Sequence, residues 1–397
     1  MEQKAKKNLG LLSILAFLFG FRAFEGVIAV YFAAITGSFT IAMSVLAIMN
    51  LSASFFEIPT GVFSDYIGRK KTLIIYYFSG TLAILLYYLA NSSALLILGA
   101  IIMGFSMAMR SGAVSAFVYE NLEVLGKENE FQKLEGHRQA LERYALVMSG
   151  IIGTVVIFVF DIRAAVLLTL LVLVVALVFS FRLSDIRIHD PKTSNIYASL
   201  GEAWRKFRTD KILRDLSIGR MINQGGGNVE YRFRALFLSM IMPEWLVNLF
   251  GILNNFISGL SMKYSHKIVA KFGFMRSLVH AEIFDRVTTT VFVVVNSVSS
   301  VFAMTIISGV VFGVRQIASE DLLQTQYSKN QRATMGSIVG LGGSLIYGIL
   351  GIAIGFLADG IGVINTMLIL QPILIFSSLF FYRGIKNIQE TTKEFSE

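Results

Sequence analysis

The sequence predicts an all-α membrane protein, with twelve transmembrane helices in two six-helix bundles and both termini in the cytoplasm. Three observations predict this fold: the composition, the spacing of the apolar stretches and the placement of the basic residues. Of the 397 residues, 55% are hydrophobic and only 15% are charged, whereas a soluble domain has about 25% charged residues. The net charge of +9 alone would fit a nucleic-acid-binding domain, but such a domain would not be this apolar. We therefore expect membrane lipids, and no nucleic acid, around this chain.

Each predicted span is a stretch of about 20 or more mostly apolar residues, the length that crosses a bilayer as a helix. The first six spans are 9–36, 40–64, 72–90, 94–120, 139–160 and 163–182. The second six are 213–240, 244–262, 277–296, 299–322, 334–358 and 363–382. The seventh is polar enough for hydropathy alone to miss it. The first begins like a signal peptide, but it is too long for one and holds Arg22 and Glu25 in its middle, so we expect a retained helix.

The lysines and arginines determine the predicted orientation. With the amino terminus inside, 26 of the 35 lysines and arginines fall in cytoplasmic segments, and Arg163 alone falls in the outer loops. This asymmetry follows the positive-inside rule. The longest polar segment separates the two sets of six spans, so the predicted domains are a bundle over 1–182, a cytoplasmic linker over 183–212 and a bundle over 213–397. The linker contains an amphipathic stretch that we expect to lie on the membrane surface as a helix.

A shift of 205 residues aligns landmarks of the two halves, which predicts an internal repeat. The aligned pairs are Glu25 with Glu230, Gly68 with Gly273, Gly104 with Gly309 and Arg110 with Arg315. They match the first span with the seventh, the second and third with the eighth and ninth, and the fourth with the tenth. Two sets of six spans that both start inside predict a parallel duplication, with an axis along the membrane normal.

The loop between the second and third spans carries a motif of glycines and charges, formed by Gly61, Asp65, Gly68, Arg69 and Lys70. The glycines suit a tight cytoplasmic turn and a close approach of helices. Asp65 can accept hydrogen bonds from the amino end of a neighbouring helix. The spacing resembles the Gly-x-x-x-Asp-x-x-Gly-Arg-Lys/Arg signature of the major facilitator superfamily. Together with twelve spans and a central linker, the resemblance extends over essentially the whole chain.

The resemblance implies the fold of that superfamily and a transporter that works by alternating access. In that family the motif loop belongs to a cytoplasmic latch between the halves, so the five motif residues, together with Glu120 at the end of the fourth span, are predicted gating residues. In the second half Ala270 and Phe274 stand where Asp65 and Arg69 would map, which predicts an asymmetric latch. We also expect a monomer in the cytoplasmic membrane of a bacterium, driven by the proton gradient and without a cofactor.

Charged residues at membrane depth are the candidate functional residues, because an ionisable group there is costly and rare. Arg22 and Glu25 lie three residues apart in the first span, on one helical face. They form either an ion pair that orients the helix or a proton site on Glu25 that Arg22 tunes. Glu57 is either a partner of Arg110 or a second carboxylate of the site. Arg110 and Arg315 either bind an anionic group or neutralise a carboxylate such as Glu25 or Glu57.

The seventh span combines Asn223, Gln224 and Glu230 with three consecutive glycines at 225–227. Glycine weakens a helix by about 1 kcal/mol per residue relative to alanine. The glycines either allow close packing against another helix or make a flexible cavity wall. Because glycines, amides and a carboxylate coincide in mid-span, we expect the cavity wall, with these polar side chains contacting substrate.

These features favour a secondary transporter that exports a small amphipathic or anionic organic molecule and is coupled to protons through Glu25 or Glu230. Two alternatives remain open: a proton-coupled importer of a metabolite, and a lipid flippase or scramblase whose basic inner face meets anionic headgroups. The fifth span lacks the proline of the drug-antiporter motif, which weakens assignment to that subclass. A membrane enzyme is disfavoured, because the chain has no cysteine, four histidines and no nucleotide-binding loop. We predict no catalytic residues and no metal ligands.

Overall fold

In this computed structural model the chain is helical over most of residues 1–186, 196–327 and 332–394, which are the residues that the structure describes. The helices up to residue 180 are α1 (Glu2–Gly20), α2 (Ile28–Thr36), α3 (Phe39–Ile67), α4 (Arg69–Leu89), α5 (Ser93–Arg110), α6 (Ala113–Val124), α7 (Phe131–Val159) and α8 (Ile162–Ser180). The later helices are α9 (Ile196–Thr209), α10 (Lys211–Ser239), α11 (Glu244–Met275), α12 (Ala281–Val295), α13 (Val298–Gln326), α14 (Arg332–Ile361) and α15 (Val363–Glu394). Within these ranges there is no β-strand, which confirms the predicted all-α class.

Nine helical segments of the described part of the chain are long and apolar enough to cross a membrane. They correspond to the predicted spans other than the seventh, eighth and ninth. Helices α10, α11 and α12 occupy those three positions but fall outside this criterion. For α10 the reason is its charge, because Arg220, Glu230 and Arg234 lie along it. The count of twelve spans and the cytoplasmic location of the termini stay predictions.

The chain divides into two compact units. The first comprises Met1–Thr193 and Glu244–Leu249, and the second comprises Ser194–Pro243 and Phe250–Glu397. The division after residue 193 falls within the predicted linker 183–212. The amphipathic stretch of that linker forms helix α9, in which the rings of Trp204 and Phe207 stack at 5.4 Å.

The helix start that differs most from the prediction is that of the fifth span. Helix α7 begins at Phe131, eight residues before the predicted start at 139. Glu135 and Arg138, which the prediction placed in a cytoplasmic loop, therefore lie on a helix. With Glu142 they recur at intervals of three and four residues, so the three side chains share one face of α7.

The first span is broken, so the prediction that Arg22 and Glu25 share a helical face is wrong. Helix α1 ends at Gly20, and α2 begins only at Ile28, after a single 3₁₀ turn. Two backbone N–H groups in the break donate to side chains of other helices: that of Arg22 to Ser149 Oγ (3.0 Å) and that of Ala23 to Thr169 Oγ1 (3.1 Å). These hydroxyl groups replace the lost helical hydrogen bonds, which is what allows non-helical backbone at membrane depth.

The break in the first span packs against α7 through a glycine. A side-chain carbon at Gly153 would meet the backbone of Ala23 within the break, whereas one at Gly136, on the same helix, would meet open space. We expect Gly153→Ala to lower the free energy of unfolding by about 1–3 kcal/mol through overpacking. Gly136→Ala should be neutral or stabilise by up to about 1 kcal/mol. Thermal unfolding of the purified variants in detergent measures both, and equal shifts would contradict this close approach.

The fourth span is broken as well. Helix α5 ends at Arg110 and α6 begins at Ala113, with Gly112 between them at a φ of 76°. A positive φ is accessible to glycine at little cost, whereas a Cβ would be strained there. The break leaves Arg110 in the last turn of α5, where a cation interacts favourably with the helix dipole.

The internal repeat is visible in the local contacts of each unit. Gly68 and Gly273 are 205 residues apart, and both have a positive φ, of 90° and 77°, where one helical segment gives way to the next. Gly104 in α5 packs on the backbone of Met49 in α3. Gly309 in α13 packs on the backbone of α11 at the position 205 residues after Met49. The two halves therefore use the same close helix contacts, as expected where helices associate without a hydrophobic driving force.

Candidate functional site

In the first unit the two helix breaks bring two arginines to one carboxylate. Arg110 Nη2 donates to Glu142 Oε2 at 2.5 Å. Arg22 Nη2 lies 3.8 Å from the other oxygen, Glu142 Oε1. We call Arg22, Arg110 and Glu142 the Glu142 cluster. The sequence left two alternatives for Arg110, an anionic ligand or a carboxylate such as Glu25 or Glu57; the structure shows a carboxylate contact, but the residue is Glu142.

A third arginine borders the Glu142 cluster but has a carboxylate of its own. Arg138 donates to both oxygens of Glu135, at 2.6 and 2.9 Å, and lies 3.5 Å from Glu142 Oε2. Glu135 also accepts hydrogen bonds from Ser115 Oγ (3.1 Å) and Gln139 Nε2 (3.0 Å). This bidentate pair is buried and fully hydrogen-bonded, which is the strong geometry for an arginine and a carboxylate.

An aromatic ring supports the two arginines of the cluster. The guanidinium carbons of Arg22 and Arg110 each lie 4.6 Å from the centroid of the Phe19 ring. The Phe19 ring packs in turn on Tyr76, with centroids 5.2 Å apart. Cation–π contacts of this kind hold a guanidinium without satisfying its N–H donors. Arg22 Nε donates to the Phe19 carbonyl at 3.5 Å and Arg110 Nη2 donates to Glu142, so the remaining N–H groups of the two arginines are the donors that can reach an oxygen ligand.

The Glu142 cluster is partly exposed, and its arginines are more exposed than the neighbouring pair of Arg138 and Glu135. The exposed fractions of the side chains are 36% for Arg22, 30% for Arg110 and 16% for Glu142. Glu25 lies beside the cluster, with Oε2 3.9 Å from Arg22 Nη1. Glu57 lies farther along, where its Oε1 accepts a hydrogen bond from Ser111 Oγ at 3.2 Å. The structure thus brings Arg22, Arg110 and Glu25 together and places Glu57 at the break of the fourth span.

In the second unit Glu230 and Arg315 belong to a different arrangement, which we call the buried network. It consists of three carboxylates and three arginines: Glu230, Glu282, Asp285, Arg234, Arg286 and Arg315. Arg286 is at its centre and contacts Glu230 at 2.6 Å, Asp285 at 2.9 Å and Glu282 at 3.1 Å. Arg315 pairs with Glu282.

The buried network is balanced in charge and closed to solvent. Each of its six side chains has an exposed fraction of 10% or less. Neutral groups complete it, since Ser308 donates to Asp285 at 2.8 Å, and Arg286 and Arg315 donate to Gln371 and Ser377. The network links α10, α12, α13 and α15, and removal of one of its charges would leave an uncompensated charge in a buried environment.

The glycine triplet in the seventh span does not interrupt its helix, because α10 continues through Lys211–Ser239. A side-chain carbon at Gly225 would meet the backbone of Gly343 in α14, and one at Gly226 would meet Leu374 in α15. The expectation of a flexible wall is therefore wrong for these two glycines, which allow close packing. Asn223 is buried and Gln224 half-buried on the same helix.

The third glycine of the triplet provides a matched test, since a side-chain carbon at Gly227 would meet open space. We expect Gly225→Ala to lower the free energy of unfolding by about 1–3 kcal/mol, because backbone must move. Gly227→Ala should stabilise α10 by up to about 1 kcal/mol. Thermal unfolding in detergent compares the two, and a larger loss for Gly227→Ala would restore the flexible-wall interpretation.

The motif loop lies within the first unit. Gly68 adopts its positive φ between α3 and α4, and Arg69 begins α4. Arg69 donates to Ser64 Oγ at 2.8 Å and to Glu120 Oε1 at 3.2 Å, so two predicted gating residues contact each other. Gly61 is exposed on α3 and Lys70 is half-buried. The side chain of Asp65 lies outside what the structure describes.

Sequence reasoning did not single out Glu142, Glu135 and Arg138 as candidate residues. The signal was present in the spacing, because the three recur at intervals of three and four residues. It was hidden by the predicted start of the fifth span at 139, which assigned two of them to a loop. A helix start eight residues earlier would have shown a charged face entering the membrane.

Comparison with protein families gives one match. The model of the Major Facilitator Superfamily matches residues 10–281, which is more than half of the chain. No curated protein matches the sequence.

Solved structures of transporters match nearly the whole chain. A variant of the nucleoside transporter NupG superimposes with a TM-score of 0.79 at 12% identity, over 96% of this chain and 99% of that one. A bacterial homologue of the human lysosomal transporter Spinster gives 0.78 at 14% identity, over 98% of both chains. The POT family transporter PepTSo gives 0.75 at 11% identity, over 98% of this chain and 99% of that one. At such identities the likeness shows a shared fold alone.

Proposed function

This chain belongs to the major facilitator superfamily of secondary transporters, and on that premise we propose that it couples transport of a small organic solute to the movement of protons. The predicted superfamily and its fold are confirmed. The substrate, the coupling ion and the direction are the subject of the proposal. We also place the protein in the cytoplasmic membrane of a bacterium, in line with the basic residues that the sequence assigns to one side.

The observation that carries the proposal is the partly exposed Glu142 cluster, in which Arg22 from the break of the first span and Arg110 from the break of the fourth span meet Glu142 of α7. Ionisable groups at membrane depth are costly and rare, so a carboxylate between two arginines there indicates a functional site. The cluster can exchange partners, because Arg22 and Arg110 keep N–H donors free of bidentate pairing. The closed and balanced network of the second unit has no such exposure. We therefore assign proton and substrate chemistry to the first unit.

Neutralising Glu142 changes the energy of the cluster by several kcal/mol, because an unbalanced charge at membrane depth is unfavourable. Protonation can therefore bias the equilibrium between two conformations of a transporter. If the solute also contacts the cluster, binding of the solute and binding of the proton affect each other. If proton and solute compete for the cluster, the protein exports the solute by exchange. If they bind together, it imports the solute.

Proteoliposomes that contain a fluorescent pH indicator test the proposal. A panel of a nucleoside, a dipeptide, an organic acid and an amphipathic amine is added outside, and the lumenal pH is followed. We expect at least one solute to change the lumenal pH: acidification indicates import with protons, and alkalinisation indicates exchange. Protein-free liposomes are the control for passive leakage. Labelled solute that enters without any proton movement would contradict proton coupling.

The lipid flippase or scramblase alternative is tested in the same vesicles. A fluorescent phospholipid in the inner leaflet becomes accessible to an external reductant only if the protein moves lipid between leaflets. We expect no increase over protein-free vesicles. Equilibration of the lipid without a pH gradient, together with no solute transport, would favour the alternative.

A further inference from the structure

We propose that Arg22 and Arg110 bind the anionic group of an organic substrate, and that the proton accompanying this substrate resides on Glu142. The inference rests on the proposed proton-coupled transport and names its substrate class, a small organic anion such as a carboxylate. It also assigns the coupling proton to a residue other than Glu25 and Glu230, which the sequence favoured.

The first step of the argument is the number of cations that face Glu142. Arg110 donates to one of its oxygens at 2.5 Å, Arg138 donates to the same oxygen at 3.5 Å, and Arg22 lies 3.8 Å from the other oxygen. When Glu142 takes up a proton, it stops balancing these arginines. A carboxylate ligand whose oxygens accept from the same guanidinium groups then restores the balance.

The second step is the surroundings of Glu142. The charged and titratable groups around it are Arg22, Arg110, Arg138, Tyr76 and Tyr77, and Glu25 lies next to Arg22. Arg138 is held by both oxygens of Glu135, so it does not compete for a ligand. The side chains of Arg22 and Arg110 are both close to one third exposed, whereas that of Arg138 is 9% exposed. The accessible positive charge near Glu142 is therefore that of Arg22 and Arg110.

The third step is the charge balance of the whole cluster with its neighbours. Three arginines (Arg22, Arg110, Arg138) and three glutamates (Glu25, Glu135, Glu142) sum to zero. Adding one proton and one monovalent anion leaves the sum at zero, whereas adding either alone leaves a net charge at membrane depth. Such a charge is unfavourable by several kcal/mol. The empty and the doubly loaded forms therefore change conformation most readily, so anion and proton move in the same direction.

This balance supports the importer that the sequence analysis held as its alternative, and not the predicted exporter. An exporter driven by proton exchange needs a proton and a substrate that exclude each other. Here an anion takes the place of the charge that Glu142 loses on protonation, so the two bind together.

The experiment measures binding of benzoate to the purified full chain in detergent, with its neutral isostere benzamide as the comparison. Calorimetry in buffers of different ionisation enthalpy gives both the affinity and the number of protons taken up. The variants are Glu142→Gln, Arg22→Gln and Arg110→Gln. Arg182→Gln is the matched control, because Arg182 also stacks on a phenylalanine, at 5.1 Å, and is exposed outside the cluster. Monodispersity and thermal unfolding establish that each variant is folded, and Arg22→Lys and Arg110→Lys are substituted where glutamine prevents folding.

The wild type is expected to take up close to one proton per anion and therefore to bind benzoate about 100-fold more tightly near pH 5.5 than near pH 7.5, because uptake of one proton changes the affinity about tenfold per pH unit. Glu142→Gln should bind with little dependence on pH and without proton uptake. Arg22→Gln and Arg110→Gln should weaken binding by about tenfold or more, and Arg182→Gln should leave it unchanged. The inference would be overturned if benzamide bound as tightly as benzoate, or if binding released protons. It would also be overturned if Glu142→Gln kept the pH dependence of the wild type, or if the folded wild type did not bind benzoate.

Failure of the inference and failure of the proposed function give different results. If only a neutral or cationic solute moves protons in the vesicles and benzoate does not bind, the inference is overturned and proton-coupled transport stands. If benzoate binds with proton uptake through Glu142 but no solute moves protons across the vesicle membrane, the binding inference stands and the proposed function falls.

Discussion

Glu142→Gln is expected to abolish accumulation of solute against its gradient while preserving exchange of solute across the same membrane. With one proton per solute, a pH difference of about two units sustains an accumulation of about 100-fold, since each tenfold step corresponds to about 1.4 kcal/mol. Glutamine resembles the protonated carboxyl in shape and charge, so the variant should behave as permanently loaded with the proton. Accumulation should therefore fall to about the external concentration. Labelled solute in proteoliposomes measures both quantities.

Two further variants make this result specific. Glu130→Gln removes an exposed glutamate that pairs with Lys127 just before α7, and we expect it to accumulate solute as the wild type does. Glu25→Gln distinguishes the proposal based on the structure from the sequence prediction, which placed the coupling proton on Glu25 or Glu230. Lost accumulation in Glu25→Gln, with normal accumulation in Glu142→Gln, would return the proton to Glu25.

The second large effect concerns stability, and it lies in the buried network. Arg315→Met is expected to lower the free energy of unfolding by about 3–5 kcal/mol, because it leaves Glu282 without one of its two arginines in a closed environment. Glu282→Leu should have a similar effect, because it leaves a surplus of positive charge. The measurement is the unfolding temperature and the folded yield in detergent.

The double variant Arg315→Met with Glu282→Leu tests the explanation. It restores the charge balance of the network, so it should be closer to the wild type than either single variant is. A double variant that loses as much as the sum of the single variants would show that packing, and not charge balance, determines these losses.

The fold was predictable from the sequence because the length of the apolar stretches, the basic residues of the loops and the motif can each be recognised within one continuous stretch of the chain. The two helix breaks were not predictable in the same way. The hydroxyl groups that accept from the freed backbone of Arg22 and Ala23 come from Ser149 and Thr169, more than 100 residues away in the chain. Hydropathy detects neither such partners nor a close approach such as that of Gly153. It therefore reports each broken span as one continuous helix.

The candidate site was predictable in part. Arg22, Glu25 and Arg110 stand out because they are charges within apolar stretches, and the structure brings them together. Glu142 was missed since it stands at the polar beginning of its span, where a carboxylate looks ordinary. Glu230 and Arg315 were singled out for the same reason as Arg22, yet they lie in the closed network of the second unit. Sequence shows which residues are charged at depth, but the partners that neutralise them come from other helices.

The position of Phe19 has a consequence for the energetics of recognition. Arginine side chains have many rotamers, and ordering a free one removes about 2 kcal/mol of favourable conformational entropy. The Phe19 ring, itself held by Tyr76, restrains both Arg22 and Arg110 before any ligand arrives. Part of this entropic cost is therefore already met in the empty protein. Capture of an anion by such restrained arginines should therefore have a small entropic penalty and a favourable enthalpy. Truncation of Phe19 to leucine should make the entropy of binding less favourable while leaving every charge in place.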